Sequence, residues 1–375
     1  MNILEEKYHG KKIDFLDVVN IVEASRFLSG KECVVVTGVT GQDGSHMVDY
    51  LMANTDYHIV GCVRRLNLYQ DSNVPRYKSD RFQLAYFDLS DCSMISLIIE
   101  KIRPKYFINL AAQSFVGSSW DFALKTWDVN STAVLNILEA IRLYHPTCRY
   151  FQAGSSEEFG SVSFVPQDEL HPLRPRSPYG ASKVASRHLI NIWRESYGLY
   201  AIQGWLYNHE GVRRGEEFVT RKITKGVARI SRAIYDGESF AELQLGNLDA
   251  KRDWSSAEDI VEGIWLMLNY AKPVDLVLAS GVAHSIREFV EIAFESAGIS
   301  GSWSGSGTSE VYRAQNDGKV LVSVNAKFYR KLDVDVLVGN ATKARTEISW
   351  RPKVSFTELV RKMVAQDLAE VGLSA

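Results

Sequence analysis

Apolar residues along this chain recur with two spacings that take turns. Short runs rich in β-branched and aromatic residues end at glycine or polar positions. Between them lie longer stretches whose apolar residues return every three or four positions. The runs CVVVTG (33–38), YHIVGCV (57–63), FQLAYFD (82–88), YFINLAA (106–112) and RYFQAGS (149–155) predict strands. The stretches 44–54, 92–102, 127–144 and 179–197 predict helices, and VLNILEAI carries the apolar face of the third. Alternation at this length implies βαβ units and a parallel sheet, so the predicted fold class is α/β with a doubly wound parallel sheet.

The flanks are less regular. Residues 1–30 precede the first clear strand, and 15–28 have a mixed helical spacing that fits either a helix or a flexible arm. Past about residue 206 the alternation loosens. The Gly/Ser-rich SGSWSGSGTS (300–309) reads as a flexible surface loop. No internal repeat is visible.

Composition narrows the partners. The chain has 375 residues, and its 43 Lys+Arg against 45 Asp+Glu leave a net charge of -2, no electrostatic basis for nucleic-acid or membrane binding. An anionic substrate must therefore be met by local basic residues. Cys33, Cys62, Cys92 and Cys148 are widely spaced without a CxxC pair, so neither a zinc site nor a redox motif is expected. Reduced thiols in a cytoplasmic protein are the simpler reading. Charges interrupt the first residues, MNILEEKYHGKKIDFLD, so no signal-peptide core is expected, and no stretch approaches the ~20 apolar residues of a membrane helix.

TGVTGQDG sets Gly38, Gly41 and Gly44 as G-x-x-G-x-x-G between the first strand and its helix, with Thr40, Gln42 and Asp43 completing the turn. Glycine lets backbone N–H groups approach a pyrophosphate, and the helix N-terminus faces that anion with partial positive charge. The second strand runs into Arg64 and Arg65, where an NAD site usually carries an acid. A guanidinium there suits the 2′-phosphate of NADP. Asp88, followed by Leu89, is placed to meet the adenine edge. The small residues of NLAAQ (109–113), with Leu110, Ala111 and Ala112, let backbone come close to the cofactor, and Ser114 follows them.

Tyr179 and Lys183 form Y-x-x-x-K, one face of a helix. An ammonium near the phenol favours the phenolate, which takes a proton from a sugar hydroxyl as hydride leaves the same carbon. Ser155 lies just past a strand, where its hydroxyl reaches the reacting oxygen. Glu157, two positions on, shares its face if the strand continues. A carboxylate added to a hydroxyl–Tyr–Lys set suggests a second proton transfer, from carbon beside a ketone. Glu158 competes for that role.

In order along the chain these residues resemble the GDP-mannose 4,6-dehydratase family of the extended short-chain dehydrogenase/reductases. TGVTGQDGS, VRR, NLAAQS, QAGSSEEFG, RSPYGASK, RESYGLYA, NHEGVRRGEEFVTRKIT, LGNLDAKRDW and VDVLVGNATKAR carry the likeness, from Cys33 to about Val371. The run 208–224 is the most specific, because general short-chain enzymes lack it.

The resemblance implies a Rossmann-type NADP domain over 31–205 with a return segment at 251–282, and a smaller C-terminal α/β substrate domain from 206–250 and 283–375. Residues 1–30 stand outside as an extension. It also implies oxidation at C4 with Tyr179, removal of the C5 proton by Glu157, loss of water from C6 assisted by Glu157 or Ser156, and return of hydride to C6. Asn208, His209 and Arg214 join the cofactor contacts. Ser114, Asn208, Val219, Lys222, Gly246, Asn247, Arg252 and Arg330 are the implied contacts of a GDP-sugar.

Four departures stand out. Ser155 replaces the family's threonine and loses its β-branched stiffness. SPYGASK replaces SPYAVAK. RKLDVD (330–335) lacks a proline after its arginine. The segment after Arg65 is short, and in relatives that segment reaches a neighbouring subunit's cofactor. The expected assembly is a homodimer or homotetramer. The same chemistry on another nucleotide sugar, such as a GDP-heptose, and a 4-epimerase or 4-reductase that needs no Glu157 are the alternatives, with a non-catalytic NADP-binding regulator further off.

Overall fold

The computed structural model describes residues 18–28, 30–64, 73, 77, 79–328 and 336–374. In chain order its elements are β1 (Val18–Val19), α1 (Ile21–Leu28), β2 (Cys33–Thr37), α2 (Gln42–Asn54), β3 (His58–Val63), β4 (Phe82–Tyr86), α3 (Cys92–Ile102), β5 (Tyr106–Asn109), α4 (Ala123–Trp127), α5 (Ala133–Tyr144), β6 (Arg149–Ala153), α6 (Pro178–Tyr197), β7 (Ala201–Leu206) and β8 (Asn208–Glu210). There follow α7 (Val219–Asp236), β9 (Leu243–Leu245), β10 (Lys251–Ser256), α8 (Ala257–Asn269), β11 (Val277–Leu278), β12 (Ala283–Ser285), α9 (Ile286–Ser296), β13 (Gly301–Ser304), β14 (Val311–Ala314), β15 (Val320–Val324), α10 (Thr342–Ile348) and α11 (Phe356–Glu370).

The eight-stranded sheet has the order β1-β4-β3-β2-β5-β6-β7-β11, and every pairing in it is parallel. The order reverses between β2 and β5, the switch point where a doubly wound sheet opens a crevice at its carboxyl edge. β2 shows why both faces are covered. Val34 and Val36 pack with Met47, Leu51 and Ile264 under α2 and α8. Cys33 and Val35 pack with Ile95, Ile137 and Ile190 under α3, α5 and α6. Period-two alternation along a strand that is apolar up to Thr37 thus feeds two cores at once.

The described part of the N-terminal segment joins this sheet. Val18 and Val19 pair with Leu84 and Ala85 on the outer edge of β4, and α1 buries Ile21, Ala24 and Leu28 in the second core. A third core gathers Val227, Phe289, Val290, Val360 and Met363 from α7, α9 and α11. β9, β13, β14 and β15 form a four-stranded sheet against it.

Residues 300–309 are not a loop of free chain. Gly301–Ser304 is β13, antiparallel to β14. Trp303 explains the difference: its indole donates to Glu291 at 2.8 Å and its ring lies 4.8 Å from that of Tyr312. One anchored aromatic outweighs the glycine and serine around it.

Candidate active site

The first βα turn builds an anion cradle. Gly38 has φ +73°, and a Cβ there would stand 2.8 Å from the backbone nitrogen of Ala111. Only glycine fits this left-handed, close-packed position. The N-cap of α2 is Gly41, which makes no side-chain cap bond, so the first amides of α2 are left for an external anion. Beneath the turn, Thr37 Oγ1 donates to Asn109 Oδ1 at 2.5 Å and accepts the amides of Leu110 and Ala111 at 3.1 Å. Asn109 donates to Gln152 at 2.7 Å, and Tyr150 donates to the same oxygen at 2.6 Å. This ladder ties the carboxyl ends of β2, β5 and β6.

Asp43, in the first turn of α2, pairs with His209 Nε2 at 2.9 Å and accepts from Gln42 at 3.0 Å. Burial opposes its charge, yet His209, Gln42 and Arg214 hold the carboxyl well below the usual range. Burial likewise works against a charged His209, and Asp43 more than offsets it, raising the imidazole. At the ends of β3 and β4, Arg64 and Asp88 share one field. Burial opposes the Asp88 charge, while Ser90, Arg64 and Lys125 lower its carboxyl.

The residues expected to be catalytic gather where β6 stops. Ser155 is extended (φ -154°, ψ 148°) and caps a single 3₁₀ turn over Ser156–Glu158. Its Oγ accepts the Glu157 amide at 3.2 Å, and its own amide donates to Glu158 Oε1 at 2.8 Å. The strand does not continue: β6 ends at Ala153, and the turn, not strand alternation, brings Glu157 to the cavity that Ser155 lines. The same turn sends Glu158 the other way. Its side chain is fully buried, with Arg187 Nε 2.6 Å from Oε2.

Helix α6 starts on the Ser177 cap with Pro178 in its first turn and ends at Gly198 in the left-handed region, a strong start and stop. It sets Tyr179 and Lys183 on one face, with the ammonium 5.7 Å from the ring centroid. Lys183 Nζ donates to Ala153 O at 2.7 Å, and the Ser155 hydroxyl acts on the phenol to lower it. The expected lowering of the phenol is not what this structure produces. Burial pushes Tyr179 upward, Glu157 and Glu158 add to that, and Ser155 and Arg214 offset only part. Burial also lowers Lys183, to about 8, against a raising effect of Glu158.

Two adjoining cavities follow. The first, about 150 Å³, is lined by Ser155, Ser156, Glu157, Tyr179 and Lys183, together with Asp43, Leu110, Ala112, Ser114, Asn208, His209, Arg214 and Arg252. The second, about 420 Å³, is lined by Val219, Lys222, Gly246, Asn247, Asn208 and Arg252. Phe115 and Phe218 line both, their rings edge-to-face at 6.1 Å. Arg214 stacks on Phe218 at 3.5 Å, and its Nε sits 3.1 Å from Glu210.

Most sequence-predicted residues meet here. Gly38, Thr40, Gly41, Gln42, Asp43 and Gly44 form the turn and the start of α2, Ala111 packs on Gly38, and Leu89 is buried behind Asp88. Arg65 and Arg330 lie outside the described residues. Sequence reasoning missed Phe115, Phe218 and Phe328, whose ring carries Lys222 at 3.7 Å. Phe218 sat inside the most specific motif, and Phe115 directly follows Ser114, so aromatic neighbours of motif residues were the available signal. Nothing in the sequence pairs Asp43 with His209.

A glycine turn at the switch point, with a serine, a tyrosine and a lysine converging beside it, defines an extended short-chain dehydrogenase/reductase. Among solved structures, UDP-glucose 4-epimerase of Thermotoga maritima superposes with TM-score 0.74 at 23% identity, covering 90% of this chain and 99% of that one. The dTDP-glucose 4,6-dehydratase of Streptomyces venezuelae gives 0.74 at 22%, covering 90% and 98%. The family model for GDP-mannose 4,6 dehydratase matches residues 35–363. The human GDP-mannose 4,6 dehydratase is 42% identical over 90% of this chain and 92% of its own length, and that of Vibrio cholerae 37% over 90% and 94%. The chain belongs to the GDP-mannose 4,6-dehydratase family.

Among the described residues no helix is long and apolar enough to cross a membrane.

Proposed function

We propose that this dehydratase converts GDP-mannose to GDP-4-keto-6-deoxymannose with NADP held at the glycine turn. The observation that carries the reading is the turn after β6, which presents a hydroxyl and a carboxylate to the cavity that also holds Tyr179 and Lys183. The left-handed Gly38, the uncapped α2 N-terminus and exposed Arg64 suit a dinucleotide carrying a 2′-phosphate. NADP, when bound, supplies a hydride acceptor and returns that hydride later in the cycle.

The chain's own residues do the rest. Tyr179 takes the proton of the C4 hydroxyl while Ser155 hydrogen-bonds the same oxygen. Lys183 brings positive charge beneath the phenol. The C4 ketone acidifies the C5 proton, which Glu157 removes and delivers, directly or through Ser156, to the departing C6 hydroxyl; C5 takes a proton back as hydride returns to C6, and the proton that Tyr179 took from the C4 hydroxyl closes the balance. The larger cavity, with Lys222, Asn247 and Arg252, takes the diphosphate and base. The carboxylate favours this reading over a 4-epimerase, which needs only the hydroxyl, phenol and ammonium.

The direct test offers purified protein GDP-, UDP-, dTDP- and CDP-sugars and reads products by mass spectrometry. Loss of one water from GDP-mannose is expected. Turnover of a different nucleotide sugar with GDP-mannose untouched refutes the substrate, and epimerisation without water loss refutes the reaction.

Two variants address the cofactor. Gly38→Ala meets both a left-handed backbone and the Ala111 nitrogen at 2.8 Å, strain of about 1–3 kcal/mol that weakens NADP binding roughly five- to hundredfold. Arg64→Ala removes a charged hydrogen bond of about 1.5–3 kcal/mol, so NADP affinity falls roughly ten- to hundredfold while NAD affinity stays level. Calorimetric titration of each variant with both dinucleotides measures this. An equal loss for NAD and NADP rules Arg64 out as the 2′-phosphate contact.

A further inference from the structure

The mechanism above leaves one buried charge system unused. Glu158 has a fully buried side chain and Arg187 a 3% exposed one. Their contact is two-pronged, Arg187 Nε to Oε2 at 2.6 Å and Nη2 to Oε1 at 3.3 Å. Gln203 Nε2 adds a bond to Oε1 at 3.0 Å and another to the Lys183 carbonyl at 3.1 Å. Arg187 Nη1 donates to Gln203 O at 2.9 Å and lies 3.5 Å from Asp275, and its guanidinium stacks on Trp205 at 3.3 Å. Glu158 Oε1 is also the acceptor of the Ser155 amide at 2.8 Å.

The helix side of this contact has its own accommodation. A Cβ on Gly180 would stand 2.6 Å from the Glu157 carbonyl oxygen, so the turn lies directly on the backbone of α6. Gly180 is one residue from Tyr179, and Arg187 is one helical turn beyond Lys183. The carboxylate of Glu158 therefore clamps the 155–158 turn to the helix that bears Tyr179 and Lys183. Ser155 lacks the β-branching that stiffens χ1 intrinsically. An external tie on its amide restricts it instead.

We infer that Glu158, held by Arg187 and Gln203, is a positioning residue that fixes the Ser155–Glu157 turn against α6 so that hydroxyl and carboxylate face Tyr179 and Lys183 together. The inference rests on the proposed roles of Ser155 and Glu157. It assigns Glu158 no contact with substrate.

The test must separate positioning from folding, because removing one partner of a buried ion pair strands the other. The double variant Glu158→Leu/Arg187→Leu removes both charges and fills their space with apolar groups, a replacement that folds are known to tolerate. Its Tm is expected within a few degrees of the native protein. Its kcat for water loss from GDP-mannose is expected to fall about ten- to hundredfold with KM changed less than threefold, the signature of lost geometry in the reacting groups. Glu158 also raises the Lys183 ammonium, so the alkaline limb of the kcat–pH profile is expected to move to lower pH. Groups facing Lys183 and Tyr179 in that profile are Glu157, Glu158 and Arg214.

A folded double variant with native kcat and an unmoved alkaline limb overturns the inference. If the double variant fails to fold, Glu158→Gln, which keeps the side chain's size and an oxygen for the Ser155 amide but gives up the charge that Arg187 grips, takes its place. Lowered kcat at unchanged KM supports the clamp, and native kcat overturns it. Failure of the underlying reading is distinguishable, since it appears as native activity in Glu157→Gln.

Discussion

Glu157→Gln is expected to oxidise GDP-mannose at C4 and then stall. Glutamine keeps the shape of the side chain but takes no proton at neutral pH. The C5 proton then has no acceptor, and the C6 hydroxyl loses the acid that would protonate it. Loss of general acid–base assistance costs on the order of 10²–10⁴ in rate. In a single-turnover mixture, reduced cofactor should accumulate by absorbance while mass spectrometry finds no dehydrated sugar. Native output of the 4-keto-6-deoxy product would remove Glu157 from the mechanism. Glu158 does not substitute for it, because its carboxylate is fully buried and bound to Arg187.

Tyr179→Phe should be blocked one step earlier. The phenol is 8% exposed, and phenylalanine fills the same space, so the fold is expected to stand. What is lost is the group proposed to accept the C4 hydroxyl proton, and neither hydride transfer nor dehydration should proceed above about 10⁻² to 10⁻⁴ of the native rate. Because burial raises this phenol, native activity should climb with pH as the phenol ionises more readily. Lys183, lowered to about 8 by burial, should limit activity at the alkaline end as its ammonium is lost. In Tyr179→Phe the residual rate should be small at every pH. Stopped-flow measurement of cofactor reduction across pH checks both points. A native-like burst in the variant would mean that another base serves C4.

The parts of this molecule that were legible from sequence are those governed by local rules. β2 to β6 and their helices follow from apolar spacing, and the glycine turn follows from the conformations that only glycine adopts. The helical face shared by Tyr179 and Lys183 follows from a spacing of four. What the sequence left open was set by contacts between distant residues. Glu157 and Glu158 are adjacent and chemically identical, so only the fold could choose between them; it does so through Arg187, a residue 29 positions away. Residues 300–309 read as a flexible surface loop, yet Trp303 finds Glu291 and Tyr312. Val18 and Val19 become a strand because β4 offers an unpaired edge, a fact about β4 and not about two valines.

The level of Tyr179 shows the same limit in electrostatics. Spacing places an ammonium near a phenol, but it does not show how much water has been excluded. Here exclusion dominates, and the phenol is held upward in the free protein.

The hydrogen-bonded ladder from Thr37 through Asn109 and Gln152 to Tyr150 spans the point where strand order reverses. It braces the floor of the crevice from the glycine turn to the Ser155 turn, leaving the two ends of the reaction at a set separation. Amide exchange in β2, β5 and β6 beneath the switch point should therefore be among the slowest in the molecule.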